Sequence, residues 1–262
     1  MQEIEIKNLG ELPYAVEEAM NRLRINVGFM GSDVKKIMVT STTPNEGKSF
    51  IAMQLFAQMA RSGMKSLFID CDLRKSILSD KYGMTVTGAD GYSAFTARPQ
   101  RGTSYCLSHD GEFDDCIYRV KGIPDAYIMP NTDNIVNPSM LFEKSRFSDL
   151  LRYASLKYKY VFLDVPPLDL VADGEQIGSK CDGAILVVRG GITSRNMAKH
   201  SAMQLERAGC PLLGIVLNRV EGAKGGYYYK KYGGYYYKKY GGYYGKSKYY
   251  GKDKQYYYGK NK

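Results

Sequence analysis

The stretch Met38-Val39-Thr40-Ser41-Thr42-Thr43-Pro44-Asn45-Glu46-Gly47-Lys48-Ser49 decides the architecture. A short apolar run, Ile37 to Val39, enters it. Phe50 to Arg61 leaves it, with Ile51, Ala52, Leu55, Phe56 and Met59 at helical spacing. Strand, tight loop and helix in that order build a cradle for phosphate. Backbone N–H groups of the loop and helix N-terminus face an anion, and the helix dipole favours negative charge there. The pattern G-x-x-x-x-G-K-[ST] asks for Gly at position 42, where this chain has Thr42. A bare Gly-Lys-Ser is common by chance, and an ordinary strand-to-helix turn would also explain it. Carboxylates elsewhere must choose.

Two other apolar runs supply them. Ser66-Leu67-Phe68-Ile69-Asp70-Cys71-Asp72-Leu73-Arg74 ends in two aspartates and an arginine. Tyr160-Val161-Phe162-Leu163-Asp164-Val165-Pro166-Pro167 ends in one aspartate and two prolines that stop it. Such runs suit buried parallel strands, and ligands collect at their carboxyl ends. Carboxylates there are costly unless a metal or basic groups balance them. Lys48 would reach the β/γ-phosphates of a nucleotide, Ser49 would put a hydroxyl on Mg²⁺, and Asp164 would receive that ion directly or through water. The expected cofactors are therefore ATP and Mg²⁺. The candidate nucleotide-binding residues are Thr43, Pro44, Asn45, Glu46, Gly47, Lys48, Ser49 and Phe50. Asn218 closes the last apolar run, Leu212 to Leu217; it would meet the adenine, or it is an ordinary strand-end Asn.

The alternation of strands and helices predicts an α/β fold, a mostly parallel sheet flanked by helices. Residues 1–13 read as an extended lead-in ended by Pro13, and Tyr14–Gly28 as a helix with Ala15, Ala19, Leu23 and Val27 on one stripe. Gly91 to Phe95 would start a short helix, and 98–118 reads as a surface excursion with a hairpin. Ala126 to Met129 is a strand, and a helix begins at Asn137-Pro138-Ser139. Gly183–Val188 is a strand and Ser194–Ala208 a helix. The expected division is 1–34, lead-in and oligomerisation helix; 35–222, ATP-binding domain; 223–262, tail.

Composition excludes other classes. No run approaches about 18 apolar residues, so no transmembrane helix is expected. Met1-Gln2-Glu3-Ile4-Glu5 lacks a basic n-region and an apolar h-region, so no signal peptide is expected. The five cysteines are dispersed with no C-x-x-C pair, which argues against zinc and disulfides and fits reduced cytoplasm. His109 and His200 are isolated. The net charge of +10 lies wholly in residues 223–262; the rest sums to zero and is no nucleic-acid binder. In that tail, 227–234 and 235–242 are the same octapeptide, Tyr-Tyr-Tyr-Lys-Lys-Tyr-Gly-Gly. With no aliphatic residue from Gly225 onward it builds no core and is expected to be disordered. Taken alone it suits a phosphoacceptor array, a stacking segment for single-stranded nucleic acid, or an adhesive or anionic-membrane tail.

Over roughly residues 14–221 plus the tyrosine cluster, the chain resembles the bacterial tyrosine kinases of capsule and exopolysaccharide synthesis, in the soluble form found in Gram-positive bacteria. The family's Walker A loop matches Ser41 to Ser49 and tolerates a residue other than Gly at Thr42; its D-x-D-x-R motif matches Asp70 to Arg74, and its D-x-P-P motif Asp164 to Pro167. The resemblance implies that Lys48 binds phosphate and that Asp70 is the base toward the tyrosine hydroxyl. Asp72 would assist the metal or the tyrosine, and Ser49 and Asp164, with Asp70 beside them, would serve the Mg²⁺. The acceptors would be Tyr227, Tyr228, Tyr229, Tyr232, Tyr235, Tyr236, Tyr237, Tyr240, Tyr243, Tyr244, Tyr249, Tyr250, Tyr256, Tyr257 and Tyr258. It further implies a homo-oligomeric ring, a membrane activator (a chain-length regulator) whose cytoplasmic end completes the nucleotide site, a cognate tyrosine phosphatase, and a cytoplasmic place at the inner face of the membrane.

Departures accompany the match. The docking motif E-x-x-R-x-x-R aligns with Glu18, Asn21 and Arg24; its first Arg is absent, with Arg22 adjacent. Ser76 stands where relatives usually have Pro. One alternative is a ParA/MinD-like ATPase, which would carry an extra Lys where this chain has Thr43. Another is a nucleotide-gated binding protein with a cationic tail. A Gly-rich tail of about 40 residues spans roughly 35 Å r.m.s., enough to reach a neighbouring subunit, so transfer in trans is expected. Roughly five to seven phosphotyrosines would cancel the tail's charge and release it from an anionic surface.

Overall fold

In the computed structural model, residues 1–87 and 96–220 are described. The strands are β1 (Glu3–Ile6), β2 (Lys36–Ser41), β3 (Ser66–Asp70), β4 (Met84–Thr87), β5 (Thr96–Ala97), β6 (Tyr118–Val120), β7 (Ala126–Met129), β8 (Tyr160–Asp164), β9 (Gly183–Arg189) and β10 (Leu212–Asn218). The helices are α1 (Tyr14–Gly28), α2 (Lys48–Arg61), α3 (Leu78–Lys81), α4 (Thr103–Ser108), α5 (Ser139–Glu143), α6 (Ser145–Lys157), α7 (Asp173–Gly178) and α8 (Arg195–Arg207). Among the described residues the sheet runs β10-β9-β2-β8-β3-β7-β6-β1-β4-β5. From β10 to β7 every pairing is parallel. Beyond β7 the sheet is mixed: β6 is antiparallel to β7, and β4 is antiparallel to β1 and β5.

Period-two alternation splits the apolar runs between the two faces. Ile37, Val39, Phe68 and Phe162 face α2, where Phe56 meets Phe68 at 5.6 Å between ring centroids. Met38, Leu67, Ile69, Val161 and Leu163 face the other way, toward Phe147, Leu150 and Leu151 of α6. Both faces are covered, which is why these strands read as continuous apolar runs.

The expected parallel sheet is present, and the structure differs from the sequence reading in four places. The extended lead-in is a strand of the sheet: in Glu3-Ile4-Glu5-Ile6 the alternation buries Ile4 fully, and β1 pairs with β4 and β6. Met1–Arg219 is one compact unit. Helix α1 has the expected bounds, but it turns Met20 and Val27 inward and leaves Ala15 and Ala19 exposed. Larger side chains gain more from that burial. The 98–118 segment is not a surface excursion: Cys106, Leu107, Cys116 and Ile117 of α4 and the following turn enter the core, and the hairpin is β6–β7. The helix begun at Pro138 is two helices, because Lys144 is extended (ψ 148°) between α5 and α6. The expected helix at Gly91–Phe95 and the tail fall outside the described residues. No helix among the described residues is long and apolar enough to cross a membrane.

Candidate active site

The loop between β2 and α2 is held from several directions. Gly47 caps α2 at φ +98°, a region that favours glycine, and a Cβ there would run into the side-chain nitrogen of Asn218. Glu46 is buried and turns its carboxylate back into the loop: Oε2 accepts from the Thr43 N–H at 2.9 Å, and Oε1 accepts from the Thr193 hydroxyl. Asn218 Nδ2 donates to the Glu46 carbonyl at 2.8 Å. Asn218, offered from sequence to the adenine, therefore braces the loop. The departure at Thr42 has a local reason as well. Its side chain is buried, and its hydroxyl accepts from Ser201 of α8 at 3.1 Å. Phe50, in the first turn of α2, packs partly buried against the core.

Below the loop, parallel pairing sets Asp70 directly beside Asp164 at the strand ends. Lys48 Nζ lies 3.4 Å from Asp164 Oδ1, 3.2 Å from Asp72 Oδ2 and 3.3 Å from Ser49 Oγ. Lys48, Ser49, Asp70, Asp72 and Asp164, read from three separate motifs, thus meet in one place. Burial pushes the Asp70 carboxyl up to about 7, and neighbouring Asp164 adds to the rise. Burial likewise raises Asp164 above the ordinary carboxylate range, against the pull of Lys48 and Ser49. Burial pulls Lys48 down, but Asp164, Asp72 and Asp70 outweigh it and leave the ammonium above its usual value.

The two buried carboxylates are solvated differently. Asp70 Oδ1 accepts from the Asp72 N–H at 3.1 Å, while Oδ2 accepts from the Ser76 hydroxyl and, at 3.4 Å, from the Asn131 N–H. Asp164 Oδ2 is buried with no hydrogen-bond partner among the described residues. A buried unpaired carboxylate oxygen beside a serine hydroxyl fits a hard divalent cation. Of the three metal candidates, Asp164 and Ser49 suit the ion; Asp70 carries three donors of its own. No cluster of three or more His, Cys, Asp or Glu side chains fit to hold a metal occurs among the described residues.

The sequence reading missed an ion pair beside this floor. Arg74 donates from Nε and Nη2 to Asp173 at 2.7 and 3.0 Å, and Ser139 donates to the same carboxylate at 2.5 Å. Asp173 is fully buried at the start of α7. Thr193, Ser201 and Asp173 carry no motif; only their contacts reveal them. On α1, Arg24 binds Asn21 at 2.8 and 3.1 Å. Glu18 and Arg24 are half-buried and Arg22 exposed.

The family described as the CobQ/CobB/MinD/ParA nucleotide binding domain matches residues 37–232. The tyrosine-protein kinase CpsD of Streptococcus agalactiae is 31% identical over 211 residues, covering 80% of this chain and 86% of that protein. The chain belongs to the bacterial tyrosine kinases. Membership makes it a protein-tyrosine kinase. The tyrosine-protein kinase etk of Escherichia coli (strain K12) is 32% identical over 216 residues, 81% of this chain and 28% of etk. The solved kinase domain of VpsO superposes with a TM-score of 0.68 at 26% identity, covering 79% of this chain and 95% of that one. MinD of Pyrococcus horikoshii OT3, solved with Mg-ADP, shares the fold at a TM-score of 0.56 and 21% identity, covering 73% and 72%. The kinship with MinD is one of fold.

Proposed function

We propose that this kinase transfers the γ-phosphoryl group of ATP to tyrosines in the C-terminal cluster of a neighbouring copy. The observation that carries the reading is the convergence of Lys48, Asp72 and Asp164 on one point, with Asp70 beside them. The phosphates lie against the loop N–H groups and the Lys48 ammonium. Ser49 and Asp164 would hold Mg²⁺, which would supply positive charge toward the phosphate oxygens. A phenol with pKa about 10 is a poor nucleophile at neutral pH, and Asp70 accepts its proton. Asp72 holds Lys48 in place from the other side. Asp173 fixes Arg74 at the edge of the site, where the guanidinium can meet an incoming anionic or phenolic group.

Glu18, Arg22 and Arg24 on α1 would dock one copy on the next in a ring. The fifteen tail tyrosines, Tyr227 to Tyr258, would be the acceptors, and a cognate phosphatase would reset them. A membrane activator would hold the protein at the inner face of the membrane and complete the nucleotide site. Mass spectrometry of the full chain, with and without MgATP, tests this. Phosphotyrosine should build up on the tail and vanish in separate Lys48→Met and Asp70→Ala variants. Tail phosphotyrosine that persists in both variants sinks the reading. Mixing a tail-less active chain with a Lys48→Met chain tests transfer in trans: no label on the latter's tail would refute it.

A further inference from the structure

Asp70 Oδ2 is capped by Ser76, a residue outside every recognised motif role. Ser76 lies between β3 and α3, half-buried, and its orientation is fixed at three points. Its backbone N–H donates to Asn134 Oδ1 at 3.2 Å. Its Oγ accepts from the Leu78 N–H at 3.3 Å. With that lone pair occupied, the hydroxyl proton is aimed at Asp70 Oδ2. The Asn131 N–H takes the second site on the same oxygen at 3.4 Å. Asp70 Oδ1 has one donor, the Asp72 N–H. A carboxylate offers about four acceptor sites. Oδ2 is therefore full, and Oδ1 keeps one lone pair open. Ser76 also lines a cavity of about 140 Å³ with Ser79, Asp80, Arg98, Asn131 and Asn134.

We propose that Ser76 is a positioning residue for tyrosine phosphorylation: by saturating Asp70 Oδ2 it stops the carboxylate rotating and makes Oδ1 the atom that takes the phenol proton. The inference rests on the kinase reading above. In the step, the phenol proton moves to Oδ1 while the O–H electron pair stays on the phenol oxygen. That oxygen forms the new bond to the γ-phosphorus. The bond from the γ-phosphorus to the bridging oxygen breaks, and its electron pair leaves with ADP. Ser76 keeps its proton throughout, and Asp70 later returns its own to water.

The test uses the full chain with MgATP, reading initial rates of tail phosphotyrosine formation and nucleotide affinity separately. Ser76→Ala should lower kcat about ten-fold, the scale of one hydrogen bond to a charged group. KM for MgATP should stay near wild type. Ser76→Thr, which restores a hydroxyl, should recover most of the rate. A Ser76→Ala rate within two-fold of wild type would overturn the inference, as would a Thr variant as slow as the Ala variant, or a defect lying in KM. A wild-type chain that forms no phosphotyrosine would sink the kinase reading itself, a different outcome from an active wild type indifferent to Ser76.

Discussion

Lys36 and Lys48 both face aspartates, at opposite ends of the same set of strands. At the amino ends, Lys36 Nζ meets Asp182 Oδ1 at 2.5 Å, and Asp182 Oδ2 accepts the N–H groups of Lys35 and Lys36 at 2.9 and 2.7 Å. Burial pushes Asp182 up, but those donors win and hold its carboxyl below the ordinary range. At the carboxyl ends, Lys48 is shared between Asp72 and Asp164 at longer distances, and Asp164 Oδ2 has no partner among the described residues. There burial wins, and both Asp70 and Asp164 rise. The same residue types make a self-sufficient clip at one end and an unbalanced cluster at the other. A cluster that is costly alone is what a substrate bringing phosphates and a cation can complete.

The sharpest way to break this comparison is to remove each lysine. Lys48→Ala should cut phosphotyrosine formation by about 10²–10³-fold. Lys36→Ala should leave the rate within about two-fold; equal losses would mean that the two ends are not distinct. Next comes stability. The folded chain holds the Asp70 proton up to about pH 7, more tightly than an unfolded chain does, so stability is lost as pH climbs from the ordinary carboxylate range through about 7. Asp70→Asn should therefore abolish transfer and, without nucleotide, raise Tm at pH 8 by about 4–8 °C, the shift that about 2 kcal/mol produces. At pH 2–3, below the ordinary carboxylate pKa, both states hold the proton and the gain should disappear. A variant less stable at pH 8 would refute an unbalanced site.

Asp182 works with the opposite sign. Its folded pKa is depressed, so its contribution is present above the ordinary carboxylate pKa and fades as pH falls through the lower folded value. Asp182→Ala should lower Tm at pH 7 by about 2–4 °C, on the scale of about 1 kcal/mol for a partly exposed pair, with transfer unchanged. The smallest effect belongs to Thr193. Thr193→Val strands Glu46 Oε1 and should weaken MgATP binding about three-fold, measured by nucleotide titration. Unchanged affinity would leave the latch as packing alone.

The parallel centre was legible because burial on both faces writes strands as uninterrupted apolar runs, and each run ends abruptly at its functional aspartate. The outer half was not. β1 and β6 are four and three residues long, too short for periodicity to announce them. The stripe of α1 was misplaced because Ala15 and Ala19 count as apolar in a pattern yet offer little surface to bury.

The sequence by itself determined the phosphate-binding turn, the aspartates at the ends of β3 and β8, and a tail whose lysines hold all the excess charge. These are local features: a turn, a strand end and a composition each depend on neighbours within a few residues. Only the tertiary structure decided which partner each of these groups takes. Thr193 reaches Glu46 across 147 residues, Ser201 reaches Thr42 across 159, Asn218 reaches Glu46 across 172, and Arg74 reaches Asp173 across 99. Those contacts arise from strand order, which sets distant segments side by side, and no periodicity encodes them.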